Sequence, residues 1–103
     1  MSELDLMAML PDVTSAVMGD LSGTHHESYQ EPEGEAVAAV AGLVASTLLQ
    51  AGEQLGLGAL KSISVSGPAR ARVILLRSHL VLTGTIEPAR SLGEVEKALE
   101  RAD

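Results

Sequence analysis

Apolar and polar positions change rhythm several times along this chain, and the longest unbroken pattern lies near its middle. Ala36 to Gly52 reads AVAAVAGLVASTLLQAG, seventeen residues without a charge in a sequence where 20% of residues are charged. Its apolar positions recur at helical spacing, which predicts a helix over 36–56. The acids of EPEGE (31–35) precede it and favour the positive end of a helix dipole, while Gly56 supplies a left-handed stop followed by the apolar Leu57. The other segments are shorter. SELDLMAML before Pro11 predicts a short helix, with Ser2 and Asp5 placed as a capping box. DVTSAVMGDLSGTHHESYQ alternates around Val13, Ser15 and Val17, turns at GDLSG and resumes as a polar run. This predicts a hairpin with strands near 13–18 and 24–30, the second of them weak and at a sheet edge. KSISVS, ARVILL and LVLTGTI follow, separated by GPAR and RSH, as three strands of a meander. SLGEVEKALERA closes the chain as a helix, with Ser91 and Glu94 as a second capping box and Leu92, Val95, Leu99 and Ala102 at helical spacing. No internal repeat or interior linker divides the sequence, so 1–103 is expected to form one domain.

ARVILL is apolar on both faces: Ala71, Val73 and Leu75 point one way, Ile74 and Leu76 the other. Both faces therefore need cover, as in a central strand of an antiparallel sheet with helices on each side. The expected fold is α/β of the α+β type: a five-stranded antiparallel sheet with the long helix on one face and the two terminal helices on the other. On a helical wheel, residues 36–56 separate into three stripes. Val37, Val40, Ala41, Val44, Leu48, Ala51 and Leu55 form a bulky stripe suited to the sheet. Ala38, Gly42, Ala45, Leu49 and Gly52 form a stripe of mostly small residues about a quarter turn away. Ser46, Thr47, Gln50, Glu53 and Gln54, with Ala39 and Leu43 among them, form the remaining arc. That polar arc argues against a membrane span, which needs about 20 predominantly apolar residues. Gly42 costs about 1 kcal/mol relative to Ala inside a helix. A close approach by another backbone would offset it, either the same helix of a second subunit or a loop or terminal helix of its own chain.

Composition narrows the picture further. The core has to be aliphatic, because Tyr29 is the single aromatic residue, and a domain this size buries only about two thirds of its unfolded surface. Sharing apolar surface with a partner would help such a core. There are no cysteines, which removes disulfides and thiolate chemistry and fits a reducing cytoplasm, and MSELDLMAML lacks the basic start of a secretory signal. The net charge of −7 is unevenly spread: residues 1–60 hold nine acids and no Lys or Arg, residues 61–103 seven bases and five acids. So small a basic excess, with no aromatics for stacking, argues against nucleic acid. The acidic part either meets a basic patch on a partner or serves solubility.

Chemistry is sparse. No phosphate-binding loop is present, and GDLSGT reads as a turn. His25 and Glu27 would share one strand face with His26 opposite and His79 distant, so no metal set of three is expected. Ser22, Ser62, Ser64 and Ser66 have no evident base, and the last three alternate on one strand face beside a two-fold or under a helix. Arg70, Arg72 and Arg77 could in principle act in trans on a partner's reaction, but Arg70 and Arg72 are expected beside a turn, facing solvent. No catalytic residue, metal or cofactor is expected.

The order and lengths of VTSAVMGDLSGTHHES, EAVAAVAGLVASTLLQAGEQLGLGALKSISVSG and ARVILLRSHLVLTG resemble the roadblock, or dynein light chain roadblock, family over nearly the whole chain. HHESYQ is more polar than that pattern leads one to expect. The resemblance implies a roadblock/profilin-like fold and a dimer in which long helices lie side by side and third strands pair across the two-fold. It places Ala38, Gly42, Ala45 and Leu49 at the helix interface and Ile63 and Val65 on the pairing strand, with either a second copy or a different roadblock-type subunit as partner. It further implies a non-enzymatic, cytoplasmic module that docks and regulates or positions a Ras-like small GTPase. An assembly scaffold for motor, polarity or signalling complexes is the alternative. The outward helix surface, Ala39, Leu43, Ser46, Gln50 and Glu53, would then be the partner platform, and no direct membrane insertion is implied.

Overall fold

The computed structural model describes residues 3–101, so the Ser2 cap and Ala102 lie outside the described residues. The chain runs α1 (Glu3–Ala8), β1 (Val13–Asp20), β2 (His25–Tyr29), α2 (Gly34–Gln54), β3 (Ser62–Ser66), β4 (Ala71–Arg77), β5 (Leu80–Ile86) and, after a 3-10 turn at Ala89–Ser91, α3 (Leu92–Arg101). All neighbouring strands are antiparallel, in the order β2-β1-β5-β4-β3. The expected α+β architecture is therefore the observed one. Its centre is β5 rather than β4, because the chain crosses from edge strand β2 over α2 to the opposite edge, β3, and fills inward.

Both faces of β4 are covered, as its two-sided apolar pattern requires. Val73 and Leu75 join Leu82, Ile86 and Ala16 beneath Leu4 and Met7 of α1 and Val95 of α3. On the opposite face Ile74 and Val81 pack with Ala41 and Ala45 of α2. Each fully buried Leu or Val contributes about 1.5–3 kcal/mol relative to exposure, and these two aliphatic layers replace the aromatics the sequence lacks.

Local signals fare unevenly. Helix α2 ends in a Schellman arrangement: Gly56 adopts φ +73°, its N–H donates to the Glu53 carbonyl at 3.1 Å, and the Leu57 N–H reaches the Gly52 carbonyl at 2.9 Å. Ser78 and His79 form the two-residue loop between paired Arg77 and Leu80, with Ser78 at φ +60° as such hairpins require. The second capping box does not form. Ser91 belongs to the 3-10 turn and its hydroxyl donates to Asp12 Oδ2 at 2.7 Å, tying the end of the sheet to the α1–β1 loop instead. Glu94 lies in the first turn of α3 without that partner.

By length and composition α2 could cross a membrane, at a mean hydropathy of 1.4. Here it is the helix that covers the sheet. Only 28% of its most apolar stretch is buried, so much of its apolar surface lacks cover from its own chain.

Candidate protein interface

The stripes of α2 exchange the roles the sequence suggested. Ala38, Ala41, Gly42, Ala45 and Gly52 are the buried positions, whereas Val40 is 62% and Leu48 38% exposed. The small stripe faces the protein's own sheet and hairpin, because a side chain there has no room. A Cβ on Gly42 would lie 2.8 Å from Gly23 Cα and N and 2.9 Å from the Asp20 carbonyl, and one on Gly19 would lie 3.0 Å from Ala38 Cβ. Ala38, Gly42 and Ala45 are therefore not available to a second helix. Half-buried Leu49 lies on the same side of the wheel. Small residues set the distance of α2 from β1 and its turn; the bulky stripe is displaced to the flank.

The hairpin turn that fills this contact is held by a compact set of bonds. Asp20 Oδ1 accepts from the Ser22 N–H at 3.0 Å, the Thr24 N–H at 3.1 Å and the Ser22 hydroxyl, and its other oxygen meets His26 Nε2 at 2.9 Å. The Ser22 hydroxyl first and His26 second hold the Asp20 carboxyl well below the usual carboxylate range. Ser46 Oγ donates to the Leu21 carbonyl at 3.0 Å and so clamps the turn onto α2. Ser46, expected on the partner platform, is thus engaged by its own chain. Ala39, Leu43, Gln50 and Glu53 remain exposed, Leu43 at 69%.

On the other flank, α2 leaves part of the sheet bare. Val37, Val40, Ala41 and Val44 face Ile74, Thr83 and Arg72 across an open trough of roughly 320 Å³, dominated by apolar surface. Ile63 and Val65 pair with Ile74 and Arg72, so they lie on this face of edge strand β3, Ile63 half-buried and Val65 59% exposed. The α3 side of β3 is different: Ser62, Ser64 and Ser66 alternate with them there and are exposed, and Ser64 Oγ donates to Glu96 of α3 at 2.9 Å. The periodicity that would have marked Val40, Val44 and Leu48 as uncovered was present in the sequence. What it lacked was the position of Gly23 and Gly19, which decides which stripe faces inward.

Catalytic and metal chemistry finds no constellation among the described residues. No group of three His, Asp or Glu side chains converges on a metal-sized site. A bulge between Met18 and Gly19 of β1 overturns the expected shared face of His25 and Glu27: they pair with adjacent β1 residues, Gly19 and Met18, and so lie on opposite faces. His25 Nε2 meets Ser28 Oγ at 3.2 Å in the open, and no carboxylate orients the ring. Arg72 is not free in solvent, as expected, but half-buried and paired with Glu31 at 3.8 Å; exposed Arg70 pairs with Glu87 at 3.4 Å.

Known structures place this arrangement. By sequence, the chain matches no family model and no curated protein. By structure it is similar to Myxococcus xanthus MglB, with a TM-score of 0.83 and 14% identity over 96% of this chain and 84% of that one. It is similar to the gliding protein MglB of Thermus thermophilus, with a TM-score of 0.81 and 16% identity over 96% and 78%. A Roadblock/LC7 domain from Streptomyces avermitilis gives 0.73 and 18% over 95% and 91%. The chain has the roadblock/LC7 fold.

Proposed function

We propose that this chain is a non-enzymatic cytoplasmic binding module that dimerises through β3 and the bulky flank of α2 and docks a Ras-like small GTPase, which it regulates or positions. The observation that carries the reading is the uncovered trough beside an open, uncharged sheet edge. Val37, Val40, Val44, Ile63 and Val65 form a contiguous apolar surface that a second copy, related by a two-fold, would fill with the same residues. The likeness to two MglB structures and a Roadblock/LC7 domain supports the family resemblance from which the GTPase is inferred. Ile63 and Val65 keep the role that resemblance gave them, while Val40, Val44 and Leu48 replace Ala38, Gly42 and Ala45 on the helix. The platform for the GTPase is the outward arc of α2, with Leu43, Ala39, Gln50 and Glu53.

Light scattering over a dilution series tests the first half: the expected mass is twice the 10.7 kDa of one chain, held to micromolar concentration. A stable monomer overturns the interface. Titration with Ras-like GTPases loaded with GDP or a non-hydrolysable GTP analogue tests the second half. Binding that depends on the nucleotide supports the reading, and a dimer that binds neither form sinks it.

A further inference from the structure

The free edge of β3 is complementary to itself. In an antiparallel ladder, successive residues turn their backbone N–H and C=O groups alternately toward the strands on either side. The Leu76 N–H donates to the Lys61 carbonyl at 2.9 Å and the Gly67 N–H to the Arg70 carbonyl at 2.8 Å, so Lys61, Ile63, Val65 and Gly67 bond inward to β4. Ser62, Ser64 and Ser66 therefore aim their N–H and C=O groups out of the sheet edge. Their side chains stand on the α3 face, and those of Ile63 and Val65 on the α2 face. SISVS carries no charge and keeps the same alternation of polar and apolar positions when read in either direction.

Resting on the β3 interface proposed above, we infer that this edge takes a second copy of the chain in one register, with the two-fold axis passing between Ser64 and its counterpart. Ser64 then lies opposite Ser64 of the second copy, and Ser62 opposite Ser66. Every outward N–H of one strand meets an outward C=O of the other, which leaves no edge group without a partner. Ile63 faces Val65 of the second copy on the α2 side as a non-hydrogen-bonded pair, the arrangement in which Cα atoms approach to about 4.5 Å and side chains come closest. Other registers lose this match. A shift of two residues opposes Val65 to Lys61 in one direction and Ile63 to Gly67 in the other. A shift of one sets outward bonding groups against inward ones and apolar side chains against polar ones. A different subunit fits only where its strand repeats this order, so the edge itself favours a copy.

Cysteine cross-linking reads the register on the full chain, which has no cysteine of its own. Facing residues of a hydrogen-bonded antiparallel pair have Cα atoms about 5.5 Å apart, inside the range of about 4.4–6.8 Å that a disulfide spans. Ser64→Cys is therefore expected to link two chains under mild oxidation, seen as a dimer band on a non-reducing gel. Ser62→Cys and Ser66→Cys, at positions that are also exposed, set each thiol about 13 Å along the strand from its own counterpart. Each alone should link at least about tenfold more slowly, while Ser62→Cys combined with Ser66→Cys should link readily. Circular dichroism checks that every variant folds, and light scattering gives the mass of the wild type at the same concentration. Equal linking by all the single variants would show random collision and overturn the inference. If the wild type is a dimer and Ser64→Cys stays unlinked, while Ser62→Cys with Ser64→Cys or Ser64→Cys with Ser66→Cys links, the register is shifted and this inference alone falls. A wild-type dimer in which no combination links is joined elsewhere, and a monomer with no variant linked has no such seam; either result removes the β3 interface and this inference with it.

Discussion

The two edges of the sheet are built differently. At one end β2, HHESY, carries two imidazoles and a carboxylate, contains a bulge opposite Gly19, and is followed by Gln30 at φ +51°. At the other end β3, SISVS, pairs with β4 in unbroken register, bears no charge, and presents Ile63 and Val65 on its uncovered face. An open strand edge is a template for pairing, and natural sheets blunt such edges with charge, bulges and twist. β2 has those devices and β3 has none. The hairpin containing β2 is further tied to its own helix through Gly23, Gly42 and Ser46, whereas β3 adjoins a trough that its own chain leaves open. The contrast teaches that one edge is finished within the protomer, while the other is the edge at which the proposed second copy would pair.

The largest effect is expected at the finished end. Gly42→Leu places a side chain against the Gly23 backbone, which cannot yield without moving the turn. Overpacking of this kind costs about 1–3 kcal/mol, or more where backbone is the obstacle. In a domain of this size that lowers the melting temperature by roughly 4–8 °C per kcal/mol, readable by calorimetry. A variant with unchanged melting would show that α2 does not sit against the hairpin as described.

The next effect separates the edges directly. Ile63→Lys sets a charge on the face where the second copy is proposed to pair, and it should shift the light-scattering mass from dimer to monomer at micromolar concentration. Ser28→Lys makes a comparable change on β2 and should leave the mass alone. Reversal of that pattern, with Ser28→Lys dissociating the dimer, would move the interface to the opposite end of the sheet.

The elements were legible in the sequence because each is announced locally. EPEGE and Gly56 bound α2, GPAR and RSH separate β3, β4 and β5, and the two-sided pattern of ARVILL requires a layer on each face. What the sequence did not disclose are the choices made between elements that meet only in space. Ala38, Gly42 and Ala45 looked like a surface for another copy because a small stripe permits close approach by any backbone. The backbone that takes it belongs to Gly23, whose contact with α2 depends on how the hairpin folds over. Likewise the bulge that separates His25 from Glu27 is invisible in HHES, since a one-residue change of register leaves no mark on composition. The apolar seam was thus present on the wheel with its inward and outward roles exchanged.

The smallest effect is a pH dependence within the finished end. Asp20 has its folded-state carboxyl held below the usual range, chiefly by the Ser22 hydroxyl and then by His26, while an unfolded chain returns it to about 3.9. A group depressed in the folded state binds fewer protons there, so its contribution to stability is fully present above the unfolded value and declines as pH falls toward the folded one. Asp20→Ala removes both the charge and the acceptor for the Ser22 and Thr24 N–H groups. The difference in urea midpoint between wild type and variant should therefore be constant from about pH 5 to 8 and shrink progressively below about pH 4. Since the turn seats against Gly42 rather than against β3, the variant should retain the wild-type mass. A variant that lost stability and its dimer together would mean that the two edges are coupled through α2, and that the hairpin helps to position the seam it does not touch.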